Sequence, residues 1–421
     1  MFFMKKNFIL FLLTLTITSG FSVNSQIIRV TDSTRISLVT CSPYQSEVYA
    51  KFGHTGLRVF DASQNIDMLF NWGIFSFDTK HFYAKFIIGY CDYMLGVVDT
   101  EVFLKEYRSR ESSVVEQVLN LNMTEKTDLI DLLSENCQPQ NREYRYNFVF
   151  DNCATRPRDL IIHAVNCSAE HLVLNNLNHT QLTYRDLVSQ YVGRNTWLMF
   201  GIDLIFGANS DIIPSQNQAM FLPEIFANEF ADAKIVNDST TERNIVSKQS
   251  YLVPQVAEKY YPNANNFSFP FLTFFVILLV RIYFFVCEMK YTGKKYLKTD
   301  CSILIITGIV GCIAFFLTFI SVHPLVGRNF NILWLMPLNM VVGVLIWFKP
   351  MRKILFFYFI VYLLLILYSL WIYAIGVQVI NIASIPVILT MALVAISWII
   401  RSKRAFRHTK YEKWIQKHLR F

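Results

Sequence analysis

Charge is what this sequence has least of. Of its 421 residues only 17% are charged, against 53% hydrophobic. That balance excludes a chain that is soluble throughout and predicts membrane-spanning segments. Acidic residues nearly vanish from the C-terminal tail: Arg401 to Phe421 holds eight Lys/Arg and one Glu, about +7 of a net charge of +8. An excess confined to one tail behind an apolar run argues against a nucleic-acid surface and reads as the cytoplasmic flank of a membrane. No internal repeat or low-complexity tract stands out. No CxxC and no paired Cys/His ladder occurs, so the spacings do not match a zinc site, and no metal or other cofactor is expected.

What is present begins with a targeting pattern. Lys5-Lys6, the apolar stretch Phe8 to Ile17 and the small residues at Val23-Asn24-Ser25 read as a signal peptide over residues 1–25, with an uncleaved anchor as the alternative. Residues 26–266 have the mixed composition of one exported globular domain. Five apolar runs follow, at 268–287, 302–322, 330–348, 354–375 and 380–400, each long enough to span a bilayer. They predict a transmembrane domain over 267–401 and a basic tail over 402–421. Lys290, Lys294, Lys295 and Lys298 follow the first run, Lys349, Arg352 and Lys353 the third, and the tail the fifth. All three clusters fall on one side if the domain is outside and the C-terminus is cytoplasmic.

Between the second and third runs lies "SVHPLVGRNFNILWLMPLN". It sets His323, Arg328, Asn329 and Asn331 at the exported interface, with Asn339 on the same helical face as Asn331. Polar groups at membrane depth turn toward a partner or a cavity. Two readings stay open: a lipid-headgroup or substrate cleft, or hydrogen bonding between helices.

Five of the eight cysteines are exported: Cys41, Cys91, Cys137, Cys153 and Cys167. Disulfides are permitted there, and an odd count leaves at least one free thiol. Cys153 has the context a reactive thiol needs. "YNFVF" reads as a strand and "TRPRDLIIHAV" as a helix with Pro157 in its first turn. Cys153 sits at the junction, in the field of the helix N-terminus, with Arg156 and Arg158 nearby. The same position also suits an inert core thiol. A base is offered by "AKFGHTGLRVFD", where Gly53 and Gly56 flank His54 ahead of a strand. The next strand, "MLFNWGIFSFD", can bring Asn71 beside His54, its amide oxygen accepting the imidazole N–H as in papain-like sites. Ser42 and Tyr44 lie near His54 in sequence and suit a cleft lining. Main-chain N–H groups around Cys153 suit an oxyanion. Asn152 is open between a shaping role and an oxyanion role, and Arg156 joins it as a substrate-binding candidate.

The order His, Asn, Cys differs from the Cys, His, Asn order of papain-like proteases and suggests circular permutation. "FGHTGLRV" and "NFVFDNCATRPRDL" resemble the permuted NlpC/P60 superfamily that includes lecithin:retinol acyltransferase. The resemblance narrows over almost the whole chain. "CSPYQSEVYAKFGHTGLRV", "FNWGIFSFD" and "DNCATRPRD", followed by five apolar runs and "HPLVGRNFNILWLMPLN", are similar to the Lnb family of bacterial lipoprotein N-acyltransferases. The fold implied is an α+β, circularly permuted papain-like periplasmic domain ahead of an all-α five-helix transmembrane bundle in the inner membrane. The activity implied is transfer of an acyl chain from a phospholipid, through a thioester on Cys153, to the diacylglyceryl-modified N-terminal cysteine of a lipoprotein, with His54 as base and Asn71 orienting it. His323, Asn329 and Asn331 belong to a recurrent pattern of that family and are carried as substrate-binding candidates. Two other functions compete: a membrane-tethered cell-wall peptidase or amidase, separated by whether the cleft opens toward membrane or periplasm, and a receptor or assembly factor with an inert papain-like domain.

Overall fold

The computed structural model describes residues 28–75, 80–168, 170–175, 181–237, 242–255, 268–291 and 296–418, with side chains through Arg404. The expected signal peptide lies outside the described residues.

A seven-stranded antiparallel sheet organises the N-terminal half. Its strands are β1 (Arg35–Cys41), β2 (His54–Asp61), β3 (Ile66–Ile74), β4 (Asp92–Asp99), β5 (Val114–Leu119), β6 (Glu143–Arg145) and, far along the chain, the strand Val246–Val253; the spatial order is Val246–Val253, β5, β1, β2, β3, β4, β6. Alternation decides the two faces. Ile36 and Leu38 of β1, with Leu57 and Val59 of β2, point into a large apolar core. Val39 and Cys41 point to the opposite face, where they meet Phe103, Leu104 and Tyr107.

Helices cover both faces. Among those that carry the argument, α1 (Phe82–Ile88) follows β3, and α2 (Thr100–Ser109), capped by the Asp99 side chain, covers the Cys41 face. Helices α3 (Met123–Asn136) and α4 (Thr155–Cys167) cover the main core, α3 opening with an Asn122–Glu125 capping box. Next come α5 (Tyr184–Val192), α6 (Trp197–Ile205) and α7 (Pro223–Ala231). Of these, α7 returns to the sheet core through Phe226 and Phe230, whereas α6 packs Phe200 and Leu204 into the core of the helical C-terminal half. A separate small sheet joins β7 (Glu170–Val173), β8 (Lys234–Asn237) and β9 (Glu242–Asn244), so that Val246–Val253 is β10.

The C-terminal half holds α8 (Phe269–Lys290), α9 (Leu297–Phe319), α10 (Leu338–Leu345), α11 (Arg352–Ala374) and α12 (Ser384–His418). Among the described residues four of these, α8, α9, α11 and α12, are long and apolar enough to cross a membrane. The expected third span, 330–348, is not one continuous helix. It is a broken segment: a 3-10 turn at Phe330–Leu333, then the eight-residue α10 behind Pro337. This segment runs antiparallel along α9 at very close range. A Cβ on Gly311 would meet the Leu335 carbonyl at 1.7 Å, and one on Gly308 would meet Met340 N at 2.2 Å. Small residues let backbones meet where lipid supplies no hydrophobic drive.

One end of the bundle is tied by buried charge. Arg401 of α12 reaches Asp300 at 2.6 Å and Glu288 at 3.1 Å, and the fully buried Arg281 of α8 faces both carboxylates at 3.3 and 3.5 Å. Two cations and two carboxylates cancel, which is what allows them at this depth. The cluster gathers the end of α8, the start of α9 and the middle of α12 on one side. Phe359 of α11 stacks on Trp398 of α12, bringing Arg352 to that side as well. The basic flanks thus share one end of the bundle, opposite the end that meets the N-terminal domain.

Candidate active site

His54 opens β2 at the end of the sheet, directly across from Cys41 of β1. On its other side β3 pairs Gly56 with Asn71, a register that sets Gly73 opposite His54 and Asn71 one step along the diagonal. The His54 Nε2 and Asn71 Oδ1 atoms are 2.5 Å apart, the imidazole N–H donating to the amide oxygen. That bond fixes the ring and leaves Nδ1 for a second partner. The partner is Cys153, which arrives two residues before α4 and shares a hydrogen bond with His54.

Gly73 makes the meeting possible. It sits at a bulge between Trp72 and Ile74 with φ of +100°, and a Cβ there would lie 3.7 Å from His54 Cε1 and 3.8 Å from Cys153 Cβ. A side chain would occupy the space directly over the pair. Sequence reasoning passed over this residue, although a glycine inside a strand pattern is the standard sign of a bulge or a close approach.

Electrostatics favour an ion pair. Burial works to raise the Cys153 thiol, but the facing His54 and the main-chain N–H groups of Thr55 and Cys153 outweigh it, and the thiol is held below its ordinary 9.0. Burial likewise works against a charged His54, yet the facing Cys153 and the Asn71 oxygen raise the imidazole above its ordinary 6.5. Opposite shifts in touching groups favour thiolate and imidazolium together. The other cysteines nearby behave as inert thiols. Burial pushes Cys41 far up even though it neighbours His54, and pushes Cys137 up to about 11. All eight cysteines are free.

The remaining candidates divide. The Ser42–Pro43 main chain packs against Gly53, the residue before His54, and Tyr44 lies under Arg110. Asn152 is buried and its side chain is fully used. Its oxygen accepts from Ala154 N and Thr155 N, and its amide donates to Phe148 O and Phe221 O. These four bonds hold the turn that leads from Phe148 into α4. Arg156 is held by Asp151 at 2.5 and 2.9 Å and stacks 3.8 Å from the Tyr144 ring. Asn329 and Asn331 are buried and donate to the carbonyls of Asp203, Leu204 and Ile205 at the C-terminal end of α6; the Asn331 oxygen accepts from Tyr373 and Trp334. These two cap a helix that the sequence did not mark as part of the bundle. Both residues therefore make hydrogen bonds between elements of the bundle. His323 lies against α1, its Nε2 donating to Phe86 O at 2.8 Å. None of the three touches the dyad.

Two family models match the chain. The Lnb N-terminal periplasmic domain matches residues 24–191, and the Lnb transmembrane domain matches residues 262–405. No curated protein and no solved structure matches.

Proposed function

This chain belongs to the Lnb family, with a periplasmic N-terminal domain and a transmembrane region in the inner membrane, and on that premise we propose that it is a lipoprotein N-acyltransferase working through a thioester on Cys153. The fold proposed for the periplasmic domain is a circularly permuted papain-like one of the NlpC/P60 type. The C-terminus is proposed to lie in the cytoplasm.

The observation that carries the reading is the Cys153–His54–Asn71 arrangement with its paired shifts. In the first half-reaction the Cys153 thiolate attacks the ester carbonyl carbon of a phospholipid. The C–S bond forms, the ester C–O bond breaks, and the His54 imidazolium gives its proton to the departing lysolipid oxygen. In the second half the α-amine of the lipoprotein's diacylglyceryl-modified cysteine attacks the thioester. The C–N bond forms, the C–S bond breaks, and His54 takes the amine proton, restoring the ion pair. Asn71 keeps the imidazole in the one tautomer and orientation that serves both halves. Main-chain N–H groups beside the sulfur suit the oxyanion of each tetrahedral intermediate.

The membrane domain favours a lipid over a cell-wall peptide as substrate. A tethered peptidase needs an anchor only, whereas here α6 is embedded in the bundle and α1 is bonded to its exported loop. The test is to incubate the purified protein in phospholipid vesicles without an acceptor and analyse the peptide bearing Cys153. An acyl mass on Cys153, released by hydroxylamine, is expected. Lipoprotein acylation proceeding with no such adduct ever forming on Cys153 would sink the thioester route.

A further inference from the structure

Helix α1 has the wrong surface for an aqueous compartment. Only Phe82 faces the core, while Tyr83 is 72% exposed, and Phe86, Ile87 and Tyr90 are each nearly half exposed. Four large apolar or aromatic side chains within eight residues make a contiguous patch, and such patches mark a contact. The hydrogen bonds of α1 identify what is beside it. Val322 N donates to Ile88 O at 2.8 Å, His323 Nε2 donates to Phe86 O at 2.8 Å, and the two rings meet edge-on at 6.2 Å. Gly89, just past the helix, comes so close to Val322 that a Cβ would lie 2.9 Å from its Cγ2.

Val322 and His323 lie three and four residues past the exported end of α9. That end is itself apolar and open: Phe319 is 66% exposed, Ile320 54% and Val322 49%. A helix of 23 residues is roughly 34 Å long, close to the roughly 30 Å of hydrocarbon it must cross, so its last turn lies at the leaflet boundary. The exposed face of α1 therefore continues the lipid-facing surface of α9 at that depth. Cations lie beside it. Lys85 lies on α1, and Arg145 stacks 4.7 Å from the Tyr90 ring, an aromatic-and-cation fringe suited to headgroups.

On the inner side of α1 an aromatic ladder leads to the dyad. Phe86 stacks on Phe82 at 6.1 Å, Phe82 on Phe75 at 5.7 Å, and Phe75 on Tyr93 at 4.9 Å, with Tyr49 edge-on at 6.3 Å. Phe75 stands two residues from Gly73, the open position over His54 and Cys153. The row of rings thus runs from Phe86 at the leaflet boundary, over the buried Phe82, to Phe75 on the strand that carries Gly73.

We propose that α1 is an interfacial helix whose Tyr83, Phe86 and Ile87 face is immersed in the acyl chains of the periplasmic leaflet, and that an acyl chain reaches Cys153 from that face, past Phe86 and Phe75. The contact with lipid stands independently; the route rests on the acyl-transfer reading above.

The test places the photoreactive residue p-benzoylphenylalanine at Tyr83 or at Ile87 of the full chain. The protein is reconstituted in phosphatidylethanolamine–phosphatidylglycerol vesicles, and the irradiated peptides are read by mass spectrometry. Phospholipid adducts are expected at both positions and not at Tyr251, an equally open aromatic on β10. The same adducts are expected in a Cys153→Ala background, so this readout is independent of whether Cys153 carries the chemistry. Adducts to protein alone, or none at 83 and 87, would overturn the immersion. The route is read with Tyr83→Asp and Ile87→Asp. Transfer from bilayer phospholipid should fall at least tenfold, while the rate of Cys153 alkylation by iodoacetamide stays at the wild-type value. Undiminished transfer in both variants would overturn the route.

Discussion

At Cys153 burial and the His54 pair act in opposite directions, and the pair prevails. The thiol's pKa is lowered, so the thiolate persists below pH 9.0 and is lost only as pH falls through the depressed value. Alkylation of Cys153, mapped by mass spectrometry against pH, should therefore begin below that of an ordinary thiol. In His54→Ala the stabilising charge is gone and burial is the largest influence left, so the onset should move upward, and transfer should fall by about 10² to 10⁴, the usual worth of a positioned base. An unmoved onset would deny the ion pair. Gly73→Ala is the steric counterpart. The added methyl fits only in van der Waals contact with both members of the pair, and its positive φ costs about 1–3 kcal/mol in a non-glycine residue. It should lower the thermal midpoint modestly and transfer severely, as measured by melting and by acyl transfer on one preparation. His54, Asn71 and Cys153 were legible because each announces itself locally: a glycine-flanked histidine, a strand amide and a cysteine at a helix start. Gly73 announced itself too, but its importance comes from the register between β2 and β3, which no single stretch of sequence displays.

Among the elements, α6 has the most to say about the two halves. Its C-terminal carbonyls would be orphaned at the bundle's edge without Asn329 and Asn331. Asn331→Ala removes the partner of two carbonyls, of Tyr373 and of Trp334 at once. Leaving buried polar groups unmet costs about 1–3 kcal/mol, so the variant should melt at lower temperature in detergent while Cys153 alkylation stays near wild type. An unchanged midpoint would mean that this cap does not hold the halves together. The sequence could place these asparagines at the interface but not say what they bond, because α6 lies some 125 residues upstream and reads as part of the soluble domain. The break inside residues 330–348 was hidden for a related reason. Hydropathy over 330–348 is that of a full crossing, but Pro337 and the close approach to α9 impose a break that average hydropathy cannot register.

Over the whole molecule, polarity is organised from one end of the bundle to the other. The neutral cluster of Arg281, Glu288, Asp300 and Arg401 sits with the basic flanks, while α1, α6 and the exported loop meet at the opposite end. A phosphatase fused after Phe421 should be inactive and a fluorescent protein there bright, as a cytoplasmic C-terminus requires; the reverse pattern would invert the proposed topology. The proposed function has this arrangement hold a thiol-histidine pair beside the leaflet that would contain both lipid substrates. The composition and the lysine and arginine distribution foretold a membrane region behind a periplasmic domain, whereas the seating of one half on the other could be read only from contacts distant in sequence. The most direct measurement is mass spectrometry of lipoprotein N-termini from cells whose only copy of this protein is wild type or Cys153→Ala. N-acylated cysteine with the wild type and a free α-amine with the variant, at equal membrane levels of the two proteins, is the predicted result. Full N-acylation with Cys153→Ala would contradict it.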